Sequence, residues 1–396
     1  MKEKAKLEEI VSALQSEDLM KRDYVVPSKC LNMENGKLVF DVNTENGLLN
    51  QLLRESGVHG LSDVDGRVWF DGIGVFHRQL AERLEVPAVY YQRMMEKDNL
   101  KLLDQSVNHW LGRSDKTFFV RTFVNEEEKR GMVRAILSDR FKAIDNWDVL
   151  MTVLKVIKES ADGGDDMTGQ VKFESGDITD TKMILRFSAP HISTQAPELL
   201  KNYRVPGGRN LGDSGICSGF VITNSEVGGG AFTIAPRIII SACSNGMVYK
   251  SEQMWKSHVG ERLEKFSWVK WSEQTVRKNQ ELILAQVTDT LKTYLSPEWL
   301  GNFVSRLDES AKLMIQKPIE TMELVSKECS FSKDESEKIL SFFIGSGDNS
   351  LFGIAQAMTF FAQECQPERR FEFEEAATNL CVSETLVPVI REMQLS

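Results

Sequence analysis

Apolar residues recur at two different periods along the chain, and the changes of period divide it into three regions. Leu7, Ile10, Val11 and Leu14 fall at helical spacing and predict a first helix over residues 3–19. A short strand over 37–42 and a helix over 46–55 follow. Residues 76–84, the turn Glu85-Val86-Pro87 and residues 88–95 then make a helix-turn-helix outline. The second of those helices carries one basic residue, Arg93, and little that reads base edges, so packing is its expected role.

From residue 117 the period shortens to two. Residues 117–124 are rich in aromatic and β-branched side chains, and the polar turn 125–131 separates them from the apolar run 132–137, predicting a β-hairpin with a charged tip. Asp145 and Asp148 mark the start of a helix over 146–159, stopped by the Gly/Asp cluster 161–166. Strands are expected over 170–174, 182–188, 216–223 and 231–241, with Pro236 bending, breaking or edging the last. Between them, 189–215 reads as a long Pro- and Gly-rich connection. From about Ser251 the helical period returns, with Val276, Ile283, Val287, Leu291 and Tyr294 on one stripe. The expected fold class is therefore α+β: a central antiparallel β-sheet with hairpins, flanked by helical N- and C-terminal regions. The expected regions are 1–112, mainly helical; 113–272, the sheet; and 273–396, helical and acidic.

Composition sharpens this plan. The 396 residues carry a net charge of −10, which argues against a protein that coats duplex DNA by bulk electrostatics. The charge is uneven: residues 1–100 hold 13 basic and 17 acidic side chains, 296–396 hold 9 and 17, and 101–295 hold 26 and 24. A surface that meets a polyanion is expected in the centre. The N-terminus has no secretory pattern, and no apolar run is long enough to span a bilayer. The cysteines (Cys30, Cys217, Cys243, Cys329, Cys365 and Cys381) are widely spaced, without the close pairs of zinc sites, and read as free thiols in a reducing cytoplasm.

No catalytic constellation is visible. Gly212-Asp213-Ser214-Gly215 spells the tetrapeptide of a serine-protease nucleophile, but its surroundings lack the paired barrels that would supply the base and acid. No phosphate loop and no metal motif occurs, so neither an enzyme activity nor a cofactor is expected. More informative is 249–278, where Lys250, Lys256, Arg262, Lys265, Lys270, Arg277 and Lys278 are interleaved with Tyr249, Trp255, Phe266, Trp268 and Trp271. Phosphate-neutralising cations beside stacking faces suit a single-stranded nucleic acid; core tryptophans with a solvated lysine face are the other reading. Arg121 shares a strand face with Phe119 and Phe123, and Arg134 one with Met132 and Ile136. Each must take an internal carboxylate, Asp139 for example, or a phosphate.

Several segments resemble the phage/plasmid-like protein family known as domain of unknown function 932. They are Asn108-His109-Trp110-Leu111, Arg134 to Phe141 (RAILSDRF), Asn224-Ser225-Glu226-Val227-Gly228, Cys243-Ser244-Asn245-Gly246, Lys256-Ser257-His258-Val259-Gly260 and Ser350 to Ala357 (SLFGIAQA), in order over residues 75–365. The resemblance implies a mobile-element protein of the bacterial cytoplasm. The hairpin, helix and further strands are also loosely similar to Rad52-type single-strand annealing proteins, a likeness of plan only. The expectation is a homo-oligomeric protein that binds single-stranded DNA and assists annealing in recombination, alongside host or phage replication and recombination proteins. Arg121, Arg134, Arg140 and Lys142 would contact the backbone, and Lys250, Lys256, His258 and Arg262 would extend the track, with Trp255 as a platform. The alternative is an acidic virion component or an inhibitor of a host-defence enzyme.

Overall fold

The computed structural model describes residues 2–42, 45–96, 99–162, 164, 170–201, 215–240, 246–249, 254–256, 267–268 and 273–395. Strict alternation makes strands of the central segments, as expected, but these are dealt into two sheets. In chain order the elements are β1 (Lys2–Ala5), α1 (Leu7–Met20), β2 (Lys21–Pro27), β3 (Asn32–Glu34), β4 (Lys37–Asp41), α2 (Gly47–Glu55), β5 (Arg67–Gly72), α3 (Gly74–Arg83), α4 (Ala88–Glu96), α5 (Leu100–Arg113), β6 (Thr117–Asn125) and β7 (Arg130–Ser138). They continue with α6 (Asn146–Asp162), β8 (Lys172–Ile178), β9 (Met183–Gln195), β10 (Gly215–Asn224), β11 (Phe232–Ile240), β12 (Gly246–Val248), β13 (Met254–Lys256) and β14 (Ser267–Trp268).

The first sheet runs β1-β8-β9-β10-β11-β12, with β13 also on β11; the second runs β14-β2-β6-β7-β5-β4-β3. All their pairings are antiparallel except β5 with β7. The α+β class holds, and both sheets draw strands from either side of residue 113. Each sheet has its own core. The first packs on α1, α6 and the helices that follow residue 273, the second on α2 to α5. The helix Leu351–Ala362, buried at every position but Phe360 and capped by Ser350 of the SLFGIAQA segment, is central to the first core. Among the described residues no helix is long and apolar enough to cross a membrane.

Several local outcomes differ from the sequence reading. The stretch 189–215, expected as a connection, begins as strand, because β9 continues to Gln195 along β10, and Pro197–Leu200 is helical. Residues 2–5 add an edge strand before α1, where a helix was expected from residue 3. Residues 254–256 and 267–268 are strands, where helix was expected, because the exposed edges of β11 and β2 pair with them. Pro236 sits in an unbroken β11 paired with Phe220. Its missing N–H falls on the other side, in the gap between β13, opposite residues 232–234, and β12, opposite 237–239.

Candidate nucleic-acid interface

The two sheets meet at the turn between β10 and β11. Gly228, at φ +80°, takes a left-handed conformation, and a Cβ there would come within 2.8 Å of Leu137. The turn therefore presses Val227 onto Phe119, Ala135 and Leu137, on the back of the second sheet. Gln79 of α3 donates to the Val227 carbonyl at 2.6 Å, and Asn224 donates to the Ile144 carbonyl and to Asn146 Oδ1 at 2.8 Å. Ser225 Oγ donates to the Thr181 carbonyl at 2.6 Å. The Asn224–Gly228 segment is thus the joint between sheets.

At its centre Glu226, 3% exposed, accepts from Lys21 Nζ at 2.9 Å, Arg134 Nη1 at 2.8 Å and the Asn146 backbone N–H at 2.7 Å. Arg121, with no exposed surface, donates to Asp23 (Nε, 3.0 Å), Asp145 (Nη2, 2.7 Å) and the Glu226 carbonyl (Nη1, 3.0 Å). Lys21, Arg121 and Arg134 face Asp23, Asp145 and Glu226, and Lys21 also meets the more exposed Asp18 at 3.3 Å. Burial opposes the charge on Glu226, but Lys21, Arg134 and Arg121 outweigh it and hold the carboxyl well below the usual carboxylate range. Asp145 is held low against burial by Lys21 and Arg121.

Arg121 and Arg134 therefore take the internal ion pair, and the expectation that they contact a nucleic-acid backbone is corrected for both. Their partners are Asp23, Asp145 and Glu226, none of them Asp139. A bulge explains part of the difference. Arg121 pairs with Ala135 and Thr122 with Val133, so Arg134 has no partner on β6. The extra residue turns Arg134 away from the core that takes Ile136 and sets its guanidinium over the Phe123 ring, 3.9 Å from the centroid. Strict alternation had put Arg134 and Ile136 on one face.

Arg140 is exposed on the turn after β7, and Lys142 is half-buried. The backbones of Trp255 and Lys256 form β13; their side chains, and Lys250, His258, Arg262, Ser214 and Cys243 altogether, lie outside the described residues. The structure thus joins two of the expected residues, Arg121 and Arg134, in the seam and leaves Arg140 at the far end of β7.

A different set of side chains surrounds an open cleft of about 990 Å³ between α4, α5 and the β6–β7 pair. On α5, Leu103, Val107 and Leu111 point into the core, which leaves Ser106, Trp110 and Arg113 as an outward stripe along the cleft. On α4, Tyr91 and Met94 are buried, with the Tyr91 hydroxyl 2.9 Å from His77 Nδ1, and the neighbouring Tyr90 faces out. Tyr90 and Trp110 are each 45% exposed. Arg83, Arg113 and Lys116 supply cations, and Glu85, Asp115 and Asp139 carboxylates. Lys116 Nζ donates to the Arg83 carbonyl at 3.1 Å, and Asp115 pairs with Lys29 at 2.7 Å.

The sequence reading missed Tyr90, Arg83, Arg113 and Lys116 as candidates and used Trp110 only as part of a motif. The available signal was the spacing Ser106, Trp110, Arg113, which marks a polar-aromatic stripe flanking the apolar one, about 90° round the helix. Asn108, beside Trp110, is structural: its amide bonds both the N–H and the carbonyl of Met33, at 2.7 and 2.8 Å. Among the described residues no group of three or more histidines, cysteines or carboxylates is placed to hold a metal.

No family model, curated protein or solved structure matches the chain. The reading of the cleft rests on its own chemistry.

Proposed function

We propose that the chain binds single-stranded nucleic acid in the cleft between α4 and α5 and assists strand annealing in the recombination of a phage or mobile element. One observation carries this reading: two half-exposed aromatic side chains, Tyr90 and Trp110, share an open cleft with Arg83, Arg113 and Lys116. Rings left partly in water offer faces on which successive bases stack, and the cations neutralise the phosphates that accompany them. The lining carboxylates keep the cleft near neutral, so binding leans on stacking more than on charge. Annealing needs several copies along one strand, so the reading includes a homo-oligomer. It keeps the phage/plasmid-like affiliation that the sequence segments suggest, two of which, at Trp110 and at Ser138-Asp139, line the cleft.

The test is fluorescence-anisotropy titration of labelled oligo-dT at two salt concentrations. Saturable binding is expected, with a log–log salt slope of about −2 for three neutralised phosphates on a single strand. Absence of binding at low salt would overturn the proposal. The competing reading, an acidic virion component or inhibitor of a host-defence enzyme, is favoured by the 17 acidic against 9 basic residues over 296–396. Capture of a defined host enzyme together with no nucleic-acid shift would select it.

A further inference from the structure

A second open cleft, of about 620 Å³, lies on the other side of α4, where His77, Arg78 and Ala81 of α3 face Val89, Arg93 and Glu96 of α4. Ala81 and Tyr91 close its floor from the second core. Arg78 and Arg93 are both exposed, and among the described residues neither has a hydrogen-bond or ion-pair partner. Glu96 is the one carboxylate among the described lining residues, and it accepts from Gln92 Nε2 at 3.0 Å. Cations therefore exceed carboxylates here, and two guanidinium groups stand in water without a protein acceptor, free to take an anion.

The two clefts share α4. The ridge between them is Pro87 and the first turn of that helix: Pro87 and Tyr90 line one cleft, Ala88 and Val89 the other, and all four are exposed. Val89 is 84% exposed, beside the half-exposed Tyr90 ring. A helix with its side chains is about 10–12 Å across, so the ridge is narrow. Arg83, Arg113 and Lys116 lie on one flank of it, Arg78 and Arg93 on the other. An extended strand laid across would have apolar surface under its bases and cations beside its phosphates on both sides, the division of labour of single-strand binding.

We infer that a single strand crosses this ridge and runs on into the second cleft, where Arg78 and Arg93 take two further phosphates. The inference rests on strand binding in the first cleft and sets the length of strand the chain prefers. A strand too short to cross the ridge gains nothing from the second cleft.

The test compares oligo-dT of about 4 and about 10 nucleotides, both within the range that single-stranded modules cover, by anisotropy across a salt series. At about −0.7 per phosphate, the short strand keeps the slope of about −2 set by three cations, and the long one steepens to about −3.5 with five. Arg78→Gln/Arg93→Gln, at exposed positions outside the core, returns the long-strand slope to about −2 and leaves short-strand binding unchanged. Val89→Asp puts a carboxylate on the ridge, in the first turn of a helix where a negative charge is tolerated, and weakens the long strand about fivefold more than the short one. A wild-type slope of about −2 for the long strand, or a double arginine variant that binds both lengths as the wild type does, overturns the inference and leaves the first cleft standing. Equal losses for both lengths in that variant also overturn it, since bulk charge is then the cause. Absence of binding at either length removes the first cleft as well. Self-association in light scattering that Val89→Asp abolishes, with strand binding unchanged, gives the ridge to a second copy of the chain and overturns it too.

Discussion

Three cations and three carboxylates interlock at the centre of the seam between the sheets, with Asp18 also on Lys21 at its margin, and six charged side chains line the cleft beside α5. Each set mixes cations and carboxylates in near-equal number, so net charge hardly separates them. What separates them is enclosure. In the seam Arg121 has lost all contact with water and binds three acceptors; the cleft keeps two aromatic rings nearly half in solvent. A closed set whose charges pair with one another fixes geometry, whereas an open one with half-exposed rings has surface to give to a ligand. The seam thus holds the two sheets in register, and the cleft is where a strand would lie.

The contrast breaks most readily at Glu226. Removing one partner of a buried ion pair leaves its cations uncompensated, and Glu226→Ala should lose about 3–5 kcal/mol in urea unfolding. A loss of less than about 1 kcal/mol would mean that the seam is not structural. Acidification probes the same set. The folded-state values of Glu226 and Asp145 lie below their unfolded ones, so their contribution is fully present above the unfolded carboxylate range, about pH 4. It is lost as pH falls below that toward the depressed values. The urea midpoint should therefore drop steeply below about pH 4 in the wild type and more gently in Glu226→Gln.

In the cleft the order of effects reverses. Trp110→Ala should weaken oligo-dT binding by roughly 5- to 150-fold, the 1–3 kcal/mol of one stacked base, while costing about 1 kcal/mol or less of stability. The smallest effect is electrostatic: Arg113→Gln should make the log–log salt slope shallower by about 0.7, the share of one phosphate on a single strand.

How far the sequence carried can be stated residue by residue. The hairpin of β6 and β7, α6 and the paired β10 and β11 were legible because their apolar periods are long and flanked by turn residues. Arg121 was correctly singled out as a charge on an apolar face. Its partners were not legible, because Asp23 and Glu226 lie 98 and 105 residues away and only the pairing of β2 with β6 and the joint at Gly228 bring them together. The bulge at Arg134 defeats alternation by one residue, and nothing local announces it. β13 and β14 are too short to carry a period, and their strand state comes from the edges they pair with. The cleft was missed because α4 and α5 each look like ordinary amphipathic helices, and only their packing places Tyr90 and Trp110 on one concave surface.

The most direct test is a side-by-side titration of oligo-dT with the wild type, Tyr90→Ala/Trp110→Ala and Glu226→Gln, each first checked for its unfolding midpoint. The account predicts that the double variant keeps its fold and loses most of its affinity. Glu226→Gln, wherever it remains folded, should bind as the wild type does. Unchanged affinity in a folded double variant, or loss confined to Glu226→Gln, would contradict it.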